Sequence, residues 1–237
     1  MQTNNKPQTK NDDQHATKHI NVAQVKVCGL TRVENALECT TLGVDAIGCV
    51  FYPKSPRHVT DEQARNICQV VASKVATVGV FVNESFSFIM KKVERCMLDT
   101  VQLHGQESPE LVARLRKEKL TVIKTLFLRS MPAFENAKNY RPTAFLVECG
   151  IGALPGGNAV LWNWEKARQL AENFPVILAG GLSPENVSNA VSQSTAEAVD
   201  VSSGVEYSPG LKNPIRVKAF VQAVSMCGLE RKTRRIF

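Results

Sequence analysis

Eight short runs of apolar, mostly β-branched residues recur along the chain from residue 24 onward. Taken together, these runs are too continuous in apolar residues for a half-exposed antiparallel sheet. Such runs are typical of parallel strands that are covered on both faces, so we predict eight parallel strands. The runs are "QVKVC" (24–28), "AIGCVF" (46–51), "TVGVFV" (77–82), "TVQLH" (100–104), "TVIKTLF" (121–127), "TAFLVEC" (143–149), "PVILAGG" (175–181) and "AVDVSS" (198–203).

The segments between these runs carry helical patterns, three of them with clear start signals. The segment "SPELVARLRKEK" (108–119) opens with Ser-Pro and continues with apolar residues at helical spacing. "SPENVSNAVSQS" (183–194) has a serine in the cap position, a proline next and Asn186 three residues after the cap. "NPIRVKAFVQAVSM" (213–226) repeats apolar residues at helical spacing. Each strand is therefore predicted to be followed by a helix.

Eight strand-then-helix units in a chain of 237 residues predict an α/β fold, a single closed (β/α)₈ TIM barrel. A doubly wound open sheet is the alternative. It is less favoured because no G-x-G-x-x-G motif follows the first strand and no residues remain for a second domain.

Composition divides the chain into three parts. Residues 1–21 are polar and are expected to form a disordered extension, residues 22–229 form the barrel, and residues 230–237 form a basic tail. The net charge is +7, but the tail contributes +3 and the extension +1, which leaves +3 for the barrel. We expect the tail to be a solvated terminus and expect no nucleic-acid partner.

Cysteine usage and hydropathy limit the class of protein further. The seven cysteines are an odd, scattered set without C-x-x-C pairs or zinc-type spacing, which favours a reducing, cytoplasmic location and argues against disulfides and metals. No apolar stretch approaches the roughly 20 residues of a membrane span, and the N-terminus lacks the apolar core of a secretory signal. We therefore expect no membrane partner and no structural metal.

In a TIM barrel the active site lies at the carboxyl ends of the strands, so the residues there are the candidates for chemistry. The loops after strands 7 and 8 read "AGG" and "SSG", and glycine-rich loops at this place commonly bind phosphate through backbone N–H groups. The alternative is that they are ordinary turns. The candidates at the strand ends, with one residue inside strand 8, are Cys28, Arg57, His104, Glu148, Gly180, Gly181, Asp200, Ser203 and Gly204.

Two of these candidates form a possible proton-transfer pair. Glu148 is a carboxylate in an otherwise apolar strand and should face the site, because an unpaired buried charge is costly. A cysteine becomes a useful base where positive potential stabilises its thiolate, although a lone Cys28 is more often an inert buried residue. Arg57 suits a substrate carboxylate or a surface salt bridge, and His104 a catalytic or a structural role.

At these residues the sequence resembles the phosphoribosylanthranilate isomerase family of tryptophan biosynthesis. The matching stretches run in order over nearly the whole predicted barrel. They are "KVCGLTR" (26–32), "GVDAIGCVFYPKSPRHV" (43–59), "VGVFVNE" (78–84), "VQLHG" (101–105), "LAGGLSPENV" (178–187) and "VDVSSGVEYSPGLK" (199–212).

The resemblance implies an Amadori rearrangement of N-(5-phosphoribosyl)anthranilate to 1-(2-carboxyphenylamino)-1-deoxyribulose 5-phosphate, without metal or organic cofactor. It places Cys28 on the general base and Arg57 on the residue that holds the anthranilate carboxylate. It also places Asp200 on the active-site aspartate of strand 8, and Gly181, Ser203 and Gly204 on the phosphate loops. The substrate is a small phosphoribosyl compound, and the protein is expected to be a monomer or homodimer.

The chain departs from the family at the end of strand 6. The family's general acid there is an aspartate, whereas this sequence has Glu148 in "FLVEC", followed by an altered loop, "PGGNA" (155–159). A glutamate keeps the acid chemistry but carries its carboxyl one methylene further out. Two alternatives stay open: another phosphoribosyl-compound isomerase of the same barrel type, which should have an aspartate as its strand-1 base, and a catalytically silent phosphate-binding barrel.

Overall fold

The computed structural model describes residues 21–152, 160–230 and 233–237, and it confirms the eight predicted strands as a closed parallel barrel. Neighbouring strands pair in sequence order, and β8 closes the barrel by pairing with β1 through Val25↔Val199 and the adjacent residues. The strands are β1 Gln24–Cys28, β2 Ala46–Val50, β3 Ala76–Phe81, β4 Thr100–Leu103, β5 Thr121–Phe127, β6 Ala144–Glu148, β7 Val176–Leu178 and β8 Ala198–Val201.

Helices cover the outside of the barrel, and a short hairpin follows β8. The helices are α1 Val33–Thr41, α2 Asp61–Val71, α3 Phe86–Cys96, α4 Pro109–Lys117, α5 Arg168–Asn173, α6 Val187–Ser194 and α7 Pro214–Ser225. Short 3₁₀ helices lie at Phe134–Asn139, Trp164–Ala167 and Ser203–Val205, and the hairpin strands are β9 Glu206–Ser208 and β10 Leu211–Lys212. In these described ranges no helix is both long and apolar enough to cross a bilayer.

The predicted helices are largely confirmed. Ser108 caps α4 by accepting a hydrogen bond from the Leu111 N–H, and Asn213 caps α7 in the same manner. After β5, however, only a 3₁₀ helix forms among the described residues.

The predicted start at residue 183 is wrong, because α6 begins at Val187. Asn186 accepts a hydrogen bond from the Ser183 N–H and donates one to the Gly181 carbonyl, which holds its backbone outside the helical range.

Two separate apolar clusters fill the fold. Alternate strand residues point to opposite faces of a sheet. One cluster therefore joins the outward face of the strands to the helices, and the other fills the barrel interior. The interior cluster contains Cys28 and Val50 near the carboxyl ends of the strands, and Ala46, Ala144 and Ala198 near their amino ends. This alternation along each strand decides which of its polar residues face the site.

The C-terminal tail packs against the amino-terminal end of the barrel, so the expectation of a solvated terminus is wrong. Ile236 is 5% exposed and belongs to the interior cluster, where alanines at the strand starts leave room for it. Gln24 holds the tail backbone by accepting from the N–H groups of Ile236 and Phe237. Arg234 donates to Glu197 and to two backbone carbonyls. The predicted extension lies outside the described residues except for Asn21, which bridges to Leu229.

Because Ile236 closes the barrel floor, we expect Ile236→Ala to destabilise the protein. Loss of a buried isoleucine side chain costs about 2 kcal/mol or more, which corresponds to a Tm lower by about 4–8 °C for a domain of this size. Ile215→Ala is the matched control, because Ile215 is 76% exposed, and it should leave Tm nearly unchanged. Thermal unfolding of the two variants checks the contrast. Equal Tm values would show that the tail does not stabilise the fold.

Candidate active site

A pocket opens at the carboxyl ends of the strands, and it gathers nearly all the residues that the sequence predicted. Eight of the nine candidates line it: Cys28, Arg57, His104, Glu148, Gly180, Gly181, Asp200 and Ser203. The ninth, Gly204, lies directly behind Ser203, where an added Cβ would lie 2.0 Å from the Leu182 carbonyl oxygen. The carboxyl ends of the strands thus bring together residues that lie up to 176 positions apart in the chain.

Cys28 is the last residue of β1, and its side chain lies at the rim of the pocket with 9% exposure. Gly29 follows with φ +79°, a conformation that glycine adopts without strain and that turns the chain away from the site. Burial raises the pKa of the Cys28 thiol, and the positive charges of Lys26 and Lys212 act in the opposite direction. Burial outweighs these cations, so the pKa of the Cys28 thiol lies above its ordinary value.

A buried ion pair lies next to Cys28. The Lys26 Nζ donates to Asp200 Oδ1 at 2.9 Å, and the side chain of Lys26 is fully buried. Lys26 is two residues before Cys28 in β1 and so faces the same side of the strand. Asp200, a predicted substrate-binding residue, is thus engaged with a lysine and lies at the edge of the pocket.

Arg57 is 8% exposed and is held by Glu206 through two hydrogen bonds, from Nε at 2.9 Å and from Nη2 at 2.6 Å. Lys212 Nζ donates to the same carboxylate at 2.6 Å. The salt bridge considered for Arg57 therefore exists, but it is buried and not on the surface. Glu206 engages one edge of the guanidinium, which leaves the Nη1 edge for a ligand in the pocket.

The cations around Glu206 outweigh the effect of its burial on its pKa. Burial alone would raise this pKa, but the hydrogen bonds from Arg57 and Lys212 and their charges lower it below the ordinary 4.5. A depressed carboxyl pKa stabilises the folded state above the unfolded pKa, and this contribution is lost as the pH falls through the folded pKa.

We therefore expect Glu206→Gln to lower the free energy of unfolding by about 3 kcal/mol at pH 7, because it leaves Arg57 and Lys212 without their carboxylate. The gap between wild type and variant should narrow as the pH falls from about 4.5, the unfolded pKa of the carboxyl group, towards its lower folded pKa, where the folded wild type protonates Glu206. Urea unfolding between pH 3 and pH 7 measures this gap. A gap that stays constant over that range would contradict the assignment.

Glu148 ends β6, is 7% exposed and faces His104 across the pocket floor. Its Oε1 lies 3.4 Å from the His104 Nε2. The other imidazole nitrogen, Nδ1, lies 2.8 Å from Gln102 Nε2 and 3.0 Å from Thr125 Oγ1. With Gln102 donating to Nδ1, the imidazole proton sits on Nε2 and points at the Glu148 carboxylate. His104 therefore orients the carboxyl group from below.

The glycine loops after β7 and β8 meet at one side of the pocket. Gly180 and Gly181 have φ values of +89° and +70°, which side chains rarely adopt. Among the described residues the N–H groups of Gly181, Ser203 and Gly204 donate to no other protein group. Trp162 covers Gly180 and donates from Nε1 to the Ala179 carbonyl at 2.9 Å. The loop "PGGNA" (155–159) lies outside the described residues.

Sequence reasoning missed four charged or polar residues of this site: Lys26, Gln102, Glu206 and Lys212. A signal existed for the first two, because each lies two residues before a candidate in the same strand and must share its face. No such signal existed for Glu206 and Lys212. They reach the site through the β9–β10 hairpin, which lies beyond the last predicted strand.

The fold and the site together define the class of protein. This is a (β/α)₈-barrel enzyme whose pocket combines a thiol, a carboxyl group and glycine-rich loops at the strand ends. Such a pocket suits acid–base chemistry on a small anionic substrate.

The particular family follows from comparison with known proteins. The family model described as N-(5'phosphoribosyl)anthranilate (PRA) isomerase matches residues 25–223, and the chain belongs to this family, as the sequence resemblance predicted. The N-(5'-phosphoribosyl)anthranilate isomerase of Desulfatibacillum aliphaticivorans is 49% identical over 90% of this chain and 98% of the relative. That of Syntrophus aciditrophicus is 40% identical over 86% and 87%.

Solved structures agree with this assignment. The crystal structure of phosphoribosyl anthranilate isomerase from Thermotoga maritima superposes with a TM-score of 0.79 at 38% identity, covering 86% of this chain and 99% of that one. A second structure of the isomerase, in complex with reduced 1-(o-carboxyphenylamino)-1-deoxyribulose 5-phosphate, gives a TM-score of 0.76 at 38% identity over the same shares of each chain.

Proposed function

We propose that this pocket catalyses the Amadori rearrangement of N-(5-phosphoribosyl)anthranilate, with Cys28 as general base and Glu148 as general acid. One observation supports this most directly. The two side chains end strands β1 and β6, which β7 and β8 separate, and both line the same pocket beside the glycine loops. A base and an acid that approach a substrate from two sides are what this rearrangement requires.

The proposed steps assign one proton transfer to each side chain. Glu148, held by His104, donates a proton to the ribose ring oxygen, so that the C1′–O bond breaks and a Schiff base forms at C1′. Cys28 then removes the C2′ proton as a thiolate. The electron pair of the C2′–H bond forms the C1′–C2′ double bond of an enolamine, and the nitrogen of the Schiff base is neutralised. Tautomerisation of the enolamine to the ketone gives the product.

The substrate's two anionic ends fit the remaining predicted residues. The phosphate lies against the N–H groups of Gly181, Ser203 and Gly204, with Gly180 allowing the backbone to approach closely. The anthranilate carboxylate takes the free edge of the Arg57 guanidinium, whose other edge Glu206 holds in place. His104 and Asp200 contact the ribose from the pocket floor while they orient Glu148 and Lys26.

The other expectations from the sequence stay predictions. They are a cytoplasmic location and action as a monomer or homodimer without nucleic-acid or membrane partners. One related structure is described as mutually generated monomers of a dimeric isomerase from Thermotoga maritima. The proposed chemistry uses only side chains and backbone groups of the chain itself.

Complementation of a tryptophan auxotroph that lacks this isomerase tests the proposed function. We expect the wild-type gene to restore growth without tryptophan, and Cys28→Ala to fail. If the wild type fails while Glu148→Asp restores growth, the result favours the silent-barrel alternative. If Cys28→Ala restores growth at the wild-type rate, the assignment of the base is wrong.

A further inference from the structure

Charged groups approach Cys28 from several strands and loops. Lys26 is on its own strand, Asp200 is on β8, Arg57 comes from the loop after β2, and the β9–β10 hairpin brings two more charges. The charged groups that act on Cys28, or on the cations beside it, are Lys26, Arg57, Asp200, Glu206 and Lys212. Cys49 on the neighbouring strand β2 belongs to the outward-facing cluster. The side chains of the five charged residues are at most 10% exposed.

This cluster carries one positive charge in excess. Three cations, Lys26, Arg57 and Lys212, face two carboxylates. A buried charge without a counter-charge is strongly destabilising, so a group that supplies one negative charge would balance the cluster. Among the described residues around it, Cys28 is the group that can do so without loss of an existing ion pair, because its ionised form is a thiolate.

Lys26 is the cation that most favours ionisation of the Cys28 thiol, because it lowers the pKa of this thiol more than Lys212 does. The Lys26 Nζ donates to Asp200 Oδ1 at 2.9 Å, and its positive charge acts on the Cys28 thiol. A Cβ added to Gly48 on β2 would lie 2.8 Å from Cys28 Sγ and 3.2 Å from Lys26 Nζ. The sulfur and the ammonium group therefore crowd the same point of the barrel interior, and a glycine at 48 leaves the room for both.

We propose that Lys26 is a positioning residue that favours the thiolate form of Cys28 over the neutral thiol, and that Asp200 limits how strongly it does so. The inference rests on the proposed function, in which Cys28 is the base. Burial by itself favours the neutral thiol, which is a poor base, so the lysine supplies the potential that the chemistry needs. Asp200 opposes this effect, because its carboxylate accepts a hydrogen bond from the Lys26 ammonium group and offsets its positive charge.

The rate at which iodoacetamide alkylates Cys28 tests the proposal without substrate, since only the thiolate reacts. Mass spectrometry of the Cys28 peptide follows the rate between pH 6 and pH 10. We expect Lys26→Met to slow the reaction at pH 7 by about tenfold, the effect of a thiol pKa higher by one unit. We expect Asp200→Asn to speed it up. If Lys26 and Asp200 had a purely structural role, both substitutions would change the alkylation rate of Cys28 in the same direction.

Two further variants keep the test decisive if Lys26→Met folds poorly. Lys26→Arg keeps the charge and should retain most of the alkylation rate. The double variant Lys26→Met/Asp200→Asn removes the ion pair as a unit and should react more slowly than Asp200→Asn alone. Equal rates in these two proteins would overturn the proposal. Because alkylation is measured without turnover, this result is independent of whether the isomerase assay succeeds.

Discussion

Cys28→Ala is expected to lower kcat by about 10²–10⁴, the usual contribution of a positioned general base. The variant removes the only proposed acceptor for the C2′ proton, while the phosphate loops and Arg57 stay in place. We therefore expect KM to change by less than about threefold, because the groups proposed to bind the substrate are unchanged in the variant. Steady-state kinetics with substrate generated from anthranilate and phosphoribosyl pyrophosphate measures both constants.

Cys39→Ala is the control for this experiment. Cys39 is a buried thiol of α1 that does not line the pocket, so its loss should leave kcat near the wild-type value. A Cys28→Ala enzyme with wild-type kcat would mean that another group removes the proton. A loss in both variants would mean that folding, and not the base, is affected.

Glu148→Gln is expected to lower kcat by a similar factor of about 10²–10⁴. The amide has the shape of the carboxyl group but cannot transfer a proton to the ring oxygen. Binding should persist, so that the loss appears in kcat. If Glu148→Gln keeps the wild-type kcat, the acid is a different residue, and His104 is the next candidate because it lies 3.4 Å from the same carboxyl oxygen.

Glu148→Asp separates the identity of the acid from its position. The shorter side chain withdraws the carboxyl by about one bond length from His104, and a misplacement of about 1 Å costs on the order of a hundredfold. We expect a loss of about 10- to 100-fold, smaller than that of Glu148→Gln. If Glu148→Asp is at least as active as the wild type, the geometry of the site does not depend on the length of the glutamate side chain.

The fold was predictable because its signals are local and repeated. All eight apolar runs form strands, and Ser108 caps a helix where the Ser-Pro start signal predicted one. The start of α6 was not predictable. The Asn186 side chain satisfies a loop carbonyl that only the folded chain brings within reach.

The candidate site was predictable wherever a residue ends a strand. Eight of the nine candidates line the pocket, since the carboxyl ends of parallel strands meet at one end of a barrel. Lys26 and Gln102 were predictable in principle, because alternate residues of a strand share a face. The bidentate contact between Arg57 and Glu206 was not, because 149 residues separate them and no local pattern links the two loops.

The tail shows why composition alone misjudges a terminus. Four basic residues near the end suggest a solvated segment, yet Arg234 meets the buried carboxylate of Glu197 and Ile236 meets the small side chains of the barrel floor. Only the closed barrel creates that floor. Neither partner has a pattern in the sequence that points to the tail.

The most direct test of the account is the rate of a single turnover by purified wild type, Cys28→Ala and Glu148→Gln, each in excess over the substrate. The fall in anthranilate fluorescence reports isomerisation. The account predicts that the wild type converts the substrate far faster than its spontaneous rearrangement, and that each variant binds it but is slower by about a hundredfold or more. A wild type no faster than the spontaneous reaction, or a variant that matches the wild type, would contradict it.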